Sequence, residues 1–174
     1  AQRIRERTMT KTRTVEGFVI REVQINRSEA KITLAKVKDQ PGMVAKIFSH
    51  MAEKEVNVNL IVQNSRPDGT AHVTFTMPRT QLEVARETCE EIREEVGATE
   101  IEAAPHIATI AVIGIGMRSH TDVAGRMFAS LAKAGVNIDL ISTSEIEIGC
   151  VVAAEQADDA YQALMNEFKA DLEE

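Results

Sequence analysis

The sequence predicts an α+β fold made of two copies of one βαββαβ sandwich, with the first copy inserted into the second. Two observations carry that expectation. Residues 41–65, PGMVAKIFSHMAEKEVNVNLIVQNS, align without a gap on residues 121–145, TDVAGRMFASLAKAGVNIDLISTSE, 80 positions further on. Phe48 falls on Phe128, Ala52 on Ala132, Val56-Asn57 on Val136-Asn137 and Leu60-Ile61 on Leu140-Ile141, so a duplicated structural unit explains the match. The second observation is a strand count that does not close within either copy. One strand pattern is left over ahead of the first unit, and the second unit lacks its last strand.

Taken in order, residues 1–15 carry Arg3, Arg5, Arg7, Lys11 and Arg13 against Glu6, with Glu16 just beyond, and show no sustained apolar period. They read as a solvated tether. Residues 18–25, FVIREVQI, are rich in β-branched side chains and predict a strand. In residues 30–37, Ile32 and Leu34 alternate with Lys31 and Thr33, the pattern of a half-buried strand. Asp39-Gln40-Pro41-Gly42 breaks it: Pro41 suits a turn or a first helical turn, and Gly42 permits close approach of a ligand or backbone. The following helix sets Val44, Ile47, Phe48, Met51 and Ala52 on one face. A strand over 58–64, a turn at Arg66-Pro67-Asp68-Gly69 and a return strand over 72–77 form a hairpin. Thr80 with Glu83 predicts a capping box for a second helix whose apolar face is Leu82, Ala85, Cys89, Ile92 and Val96. Gly97 ends that helix, and residues 99–103 supply a fourth strand. The order βαββαβ is a two-layer sandwich of the ferredoxin-like kind.

The second unit repeats the order with a strand over 109–115, a helix near 122–134, strands over 138–146 and 148–154, and a helix near 158–171. Its missing strand is supplied by residues 18–25. The division is a tether over 1–16, a first domain over 27–104, and a second domain of 17–26 with 105–174.

Apolar residues are 44% and charged residues 27% of the 174, ordinary for a globular protein. A net charge of −7 argues against nucleic acid or an anionic membrane surface as partner, because both are held mainly by clustered Lys and Arg. No apolar run is long enough to span a bilayer and no signal-peptide pattern opens the sequence, so a cytoplasmic location is expected. Cys89 and Cys150, in different units and apolar surroundings, read as buried free thiols of a reducing compartment.

No convergent set of reactive groups emerges, so no catalytic residue and no metal site are expected. His50, His72, His106 and His120 are scattered without metal-ligand spacing. Gly114-Ile115-Gly116 lacks the third glycine of a dinucleotide-binding turn, Ser119 standing in its place. Neither a Walker-type phosphate loop nor a nucleophile elbow occurs. Glu90, Glu91, Glu94 and Glu95 form the wet face of a helix. The loop 39–45 offers more. A helix N-terminus has unpaired N–H groups and a partial positive charge, so Met43, Val44 and Ala45 suit a carboxylate, while Asp39 suits an ammonium group. Together they fit the zwitterionic end of a free amino acid. A purely structural role for Asp39 in the turn accounts for the same residues equally well.

The segments VKDQPGMVAKIF (37–48) with VNVNLIVQN (56–64), and GIGMRSH (114–120) with VNIDLISTSEI (136–146), resemble the paired ACT domains in the regulatory portion of aspartate kinase. The resemblance covers residue 17 onward, and ISTSEI behind VNID is its most specific part. It implies a non-catalytic regulatory subunit, or an excised regulatory region, that binds L-threonine, L-lysine or both in feedback inhibition and carries no cofactor. It further implies a homodimer in which ACT domains pair edge to edge into an eight-stranded sheet, together with the catalytic (alpha) subunit as partner. Effectors would lie at the seam between the first domain of one chain and the second of its partner. Asp39, Met43, Val44 and Ala45 would stand on the first-domain side with Gln63 and Asn64 on the facing strand. Asn137 and Ile138 would stand across the seam through unpaired strand-edge backbone groups, with Val123 and Ala124 nearby. The second unit departs from the pattern by placing Thr121-Asp122 at the position of Pro41-Gly42. Its loop, with Ser119, His120 and Asp122, is therefore expected to hold a different amino acid or none. A free-standing amino-acid-sensing protein that serves another enzyme, and a dimerisation module with empty pockets, are the alternative readings.

Overall fold

The computed structural model describes residues 19–115 and 122–172; the tether and the second-unit loop residues Ser119 and His120 lie outside them. In chain order the elements are β1 (Val19–Lys38), α1 (Met43–Glu53), β2 (Ile61–Ser65), β3 (Thr70–Pro78), α2 (Leu82–Val96), β4 (Glu100–Ile115), α3 (Asp122–Lys133), β5 (Leu140–Thr143), β6 (Glu147–Ala153), α4 (Ala157–Glu167) and α5 (Lys169–Leu172). The six strands form one antiparallel sheet in the order β2-β3-β1-β4-β6-β5.

Two pairs of expected strands are fused. The strands predicted over 18–25 and 30–37 are the two halves of the 20-residue β1, and those over 99–103 and 109–115 are the two halves of the 16-residue β4. The first half of β1 pairs with the second half of β4, from Val19 opposite Ile115 to Asn26 opposite Thr109. It thus serves as the fourth strand of the second unit, and the first unit is inserted into the second. Irregularities at Asn26/Glu29 and Glu29/Lys31 make the fusion possible. Odd-numbered Val23 and Ile25 pack in the second core, whereas even-numbered Ala30, Ile32 and Leu34 pack in the first. A strand alternates faces with period 2, so one extra residue is needed to keep apolar side chains under the helices on both sides of the junction.

Each unit has its own core. The first is centred on Ile32, Leu34, Ile47, Met51, Phe75 and Cys89, the second on Ile110, Met127, Leu131, Cys150, Leu164 and Phe168. Phe48 meets Phe75 edge-on at 5.4 Å between ring centres. The apolar face expected for α1 is narrower than drawn from sequence, because Ala52 is exposed. In α2, Leu82 is only half-buried while Thr88 is buried, its hydroxyl donating to the Val84 carbonyl at 2.7 Å. The expected capping box is absent. Gln81 precedes α2 without a side-chain cap, Thr80 is exposed, and Glu83 instead accepts from Arg86 at 2.5 Å. Gly97 does end the helix, at φ 75°. The strands predicted over 58–64 and 138–146 are shorter, beginning at Ile61 and Leu140, and the helix expected over 158–171 breaks at Phe168 into α4 and α5.

Cys89 and Cys150 are free and buried, one in each core, and burial pushes both thiols up to about 12. Among the described residues no helix is long and apolar enough to cross a membrane. Nor do any three or more metal-ligating side chains gather there.

Candidate functional site

At the end of β1 the chain turns tightly. Asp39 N–H donates to the Gly69 carbonyl at 3.0 Å, and Gln40 N–H to that of Lys38 at 3.1 Å. Gly42 takes φ 95°, a left-handed conformation that a β-carbon disfavours, and α1 begins at the next residue. A helix exposes its first N–H groups, and here no side chain caps them and no acidic residue stands in the first turn. Met43 N–H is occupied, donating to the Gln40 carbonyl at 3.3 Å, and Lys46 N–H bonds to Gly42 at 2.9 Å. The open donors of the turn are therefore Val44 and Ala45 rather than all three residues expected.

Asp39, Gln40, Pro41, Gly42, Val44 and Gln63 line one cleft of about 380 Å³. Gln63 reaches in from β2, opposite Val73 of β3, and its Nε2 donates to Asp39 Oδ1 at 3.2 Å. A carboxylate, a carboxamide and a helix N-terminus thus share one open depression, a set that can receive an ammonium group and a carboxylate together. Asn64, opposite His72 in the β2–β3 pair, and Ala45 are exposed and do not line this cleft, and the Met43 side chain packs on the first core.

The second-unit residues lie elsewhere in the same chain. Asn137 lines a separate cleft of about 290 Å³ with Ala104, His106, Ile107, Asp139, Ala153 and Gln156. Its N–H is not free as expected for a strand edge: it donates to Gln156 Oε1 at 3.2 Å. Ile138 packs on the second core. Val123, expected near the effector, is fully buried in that core, and Ala124 packs against it. Asp122 opens α3 and is exposed.

Two features escaped the sequence. Glu29, 4% exposed, lies where the two units join and accepts from Asn26 Nδ2 at 3.0 Å, Asn59 Nδ2 at 2.6 Å and Thr109 Oγ1 at 2.5 Å. Nearby, Lys31 pairs with Asp139, and Arg27 with Asp158. Asn59 and Asp139 are equivalent positions of the repeat, and both hold the middle of β1, which is the one signal in the sequence that could have marked them. The second feature is a pair of glutamines, Gln81 and Gln156, that tie down the turns ahead of β2 and β5.

Family models described as ACT domain match residues 31–97 and 110–168. Aspartate kinase of Pseudomonas fluorescens is 37% identical over 164 residues, which span 94% of this chain and 40% of that protein. The aspartokinase of Mycobacterium tuberculosis is 38% identical over 156 residues, 88% of this chain and 37% of that protein. The chain thus spans about two fifths of the length of these curated relatives. Among solved structures, the ligand-free regulatory subunit of aspartate kinase from Thermus thermophilus superposes with a TM-score of 0.81 at 32% identity, covering 86% of this chain and 99% of that one. A crystal structure of aspartokinase alpha and beta subunits gives 0.80 at 31% identity, with the same coverage. With its two matched domains, the inserted topology and this near-complete overlap with a separate regulatory subunit, the chain belongs to the family of aspartate kinase regulatory regions built from tandem ACT domains.

Proposed function

We propose that this chain binds L-threonine, L-lysine or both in the Asp39 cleft, and that binding mediates feedback inhibition of an aspartate kinase. The observation that carries the reading is the convergence of the Asp39 carboxylate, the Gln63 carboxamide and Val44 at the uncapped N-terminus of α1 on one depression. Asp39 takes the α-ammonium group, the helix N-terminus takes the α-carboxylate, and Gln63 reads the side-chain hydroxyl or amine. The depression is open on one side. Asn137 and Ile138 lie in another part of the same chain, so a closed cage draws them from a second copy. The edge strands β2 and β5 each leave one side unpaired within the chain, as pairing between copies requires.

The working assembly in this reading is a homodimer docked on the catalytic (alpha) subunit in the cytoplasm. An effector at a seam favours the arrangement it binds more tightly, and a coupling of about 1–3 kcal/mol changes affinity at a remote site several-fold to about a hundredfold. Calorimetric titration of the chain with threonine and with lysine, with sedimentation run in parallel, tests the reading. Binding of at least one amino acid by a dimer is expected, with Asp39→Ala weakening it by about tenfold or more through loss of a charged contact. A chain that releases no heat with either, or stays monomeric at every concentration, removes the reading.

A further inference from the structure

The two units fasten the turn ahead of their edge strand in one way. In the first, Gln81 Oε1 accepts the Asn57 N–H at 2.9 Å while its Nε2 donates to the Glu55 carbonyl at 3.0 Å. In the second, Gln156 Oε1 accepts the Asn137 N–H at 3.2 Å and Nε2 donates to the Gly135 carbonyl at 3.1 Å. Each glutamine ends a short 3-10 turn, Arg79–Gln81 or Ala154–Gln156, that leads into a helix. Between the two clamped residues stands Val56 or Val136, buried in its core at 7% exposure. The side-chain amide therefore fixes a turn whose apolar residue is already anchored, and so sets the direction in which the next residues leave it.

In the second unit those next residues are Asn137 and Ile138. Downstream, Asp139 N–H is held by the Val151 carbonyl at 2.9 Å, and the Asp139 side chain pairs with Lys31. Ile138 sits between the Gln156 and Val151 anchors with no backbone partner among the described residues. A backbone segment held at both ends with free groups in the middle is preorganised to meet a ligand, and preorganisation lowers the cost of binding.

We propose that Gln156 is a positioning residue for the amino-acid effector: it touches no ligand, and by clamping Gly135 and Asn137 it presents Asn137 and Ile138 in the geometry that closes the Asp39 cleft of a second copy. The inference rests on the effector reading given above. Gln156→Met keeps the side chain's length and removes both bonds. Gln156→Asn, one methylene too short to reach, is a second variant with the same expectation. Gln81→Met removes the equivalent clamp of the first unit.

Calorimetry with threonine and lysine, alongside thermal unfolding of the full chain, separates the outcomes. Gln156→Met and Gln156→Asn are expected to weaken binding about three- to tenfold, the equivalent of one neutral hydrogen bond. Gln81→Met is expected to stay within about twofold of wild type, although it loses as much thermal stability as Gln156→Met. Folded Gln156→Met and Gln156→Asn chains that bind like wild type overturn the inference and leave the effector reading standing. Equal weakening by Gln81→Met and Gln156→Met overturns it too, since general loosening then explains both. A wild-type chain that binds neither amino acid overturns the effector reading and this inference together.

Discussion

Replacing Glu29 by alanine tests how the two units are joined. Its carboxyl group accepts one bond from Asn26 in the β1 irregularity, one from Asn59 ahead of the first unit's edge strand, and one from Thr109 in the second unit's first strand. Each such bond contributes about 1 kcal/mol net, so its full loss costs about 3 kcal/mol. Asn26 and Asn59 are exposed enough for water to replace Glu29, which lowers the expected cost to about 2 kcal/mol, whereas Thr109 is half-buried. For a chain of this size that is a fall in Tm of about 4–8 °C. Urea unfolding followed by far-UV circular dichroism measures it. A cycle with Thr109→Val should return a coupling of about 1 kcal/mol between the two positions. A Glu29→Ala chain within about 0.5 kcal/mol of wild type, with no coupling to position 109, would refute the view that this carboxyl group locks the units together.

Two further outcomes concern the cores. Because burial raises the thiols of Cys89 and Cys150 to about 12, iodoacetamide at pH 8 should label the native chain at least about a hundredfold more slowly than the urea-unfolded chain. The fold favours the protonated thiols, so stability should fall as pH climbs from the ordinary thiol range toward about 12; rapid native labelling or rising alkaline stability would contradict this. Phe168 is fully buried under the second unit, with the Arg126 guanidinium 4.7 Å above its ring and bonded to Glu167 and Asp171. Phe168→Ala should cost about 3–5 kcal/mol by chemical denaturation, and a loss below about 1.5 kcal/mol would show that α4 and α5 do not close that core.

Much of the fold was legible because its signals are local. The 3.6-residue period of Ile47 and Met51, the alternation of Ile32 and Leu34, and Gly97 at a helix end each act over a few residues. What misled was local too. Thr80 and Glu83 have capping-box spacing, yet the 3-10 turn at Arg79–Gln81 shifts the helix start past Thr80. The resemblance sets Val123 near the effector, and the structure adds that its side chain belongs to the second core, since only packing decides which side of α3 faces inward. Asp39, Val44 and Gln63, grouped by motif, line one cleft, whereas the loss of Met43 N–H to Gln40 depends on turn geometry that the letters do not specify. Gln81 and Gln156 escaped because they stand 75 positions apart rather than 80, the first unit's β-hairpin being longer than the second's.

By itself the sequence determined the duplication, the order of elements in each copy and the loan of an N-terminal strand to the second copy. Those follow from hydrophobic period and from a strand count. Only the tertiary structure decided that the two sandwiches share one sheet, that Glu29 sits where they join, and that glutamines 75 residues apart do equivalent work. Such features depend on strand register and on contacts between residues far apart in the chain, where a single bulge changes which side chains meet.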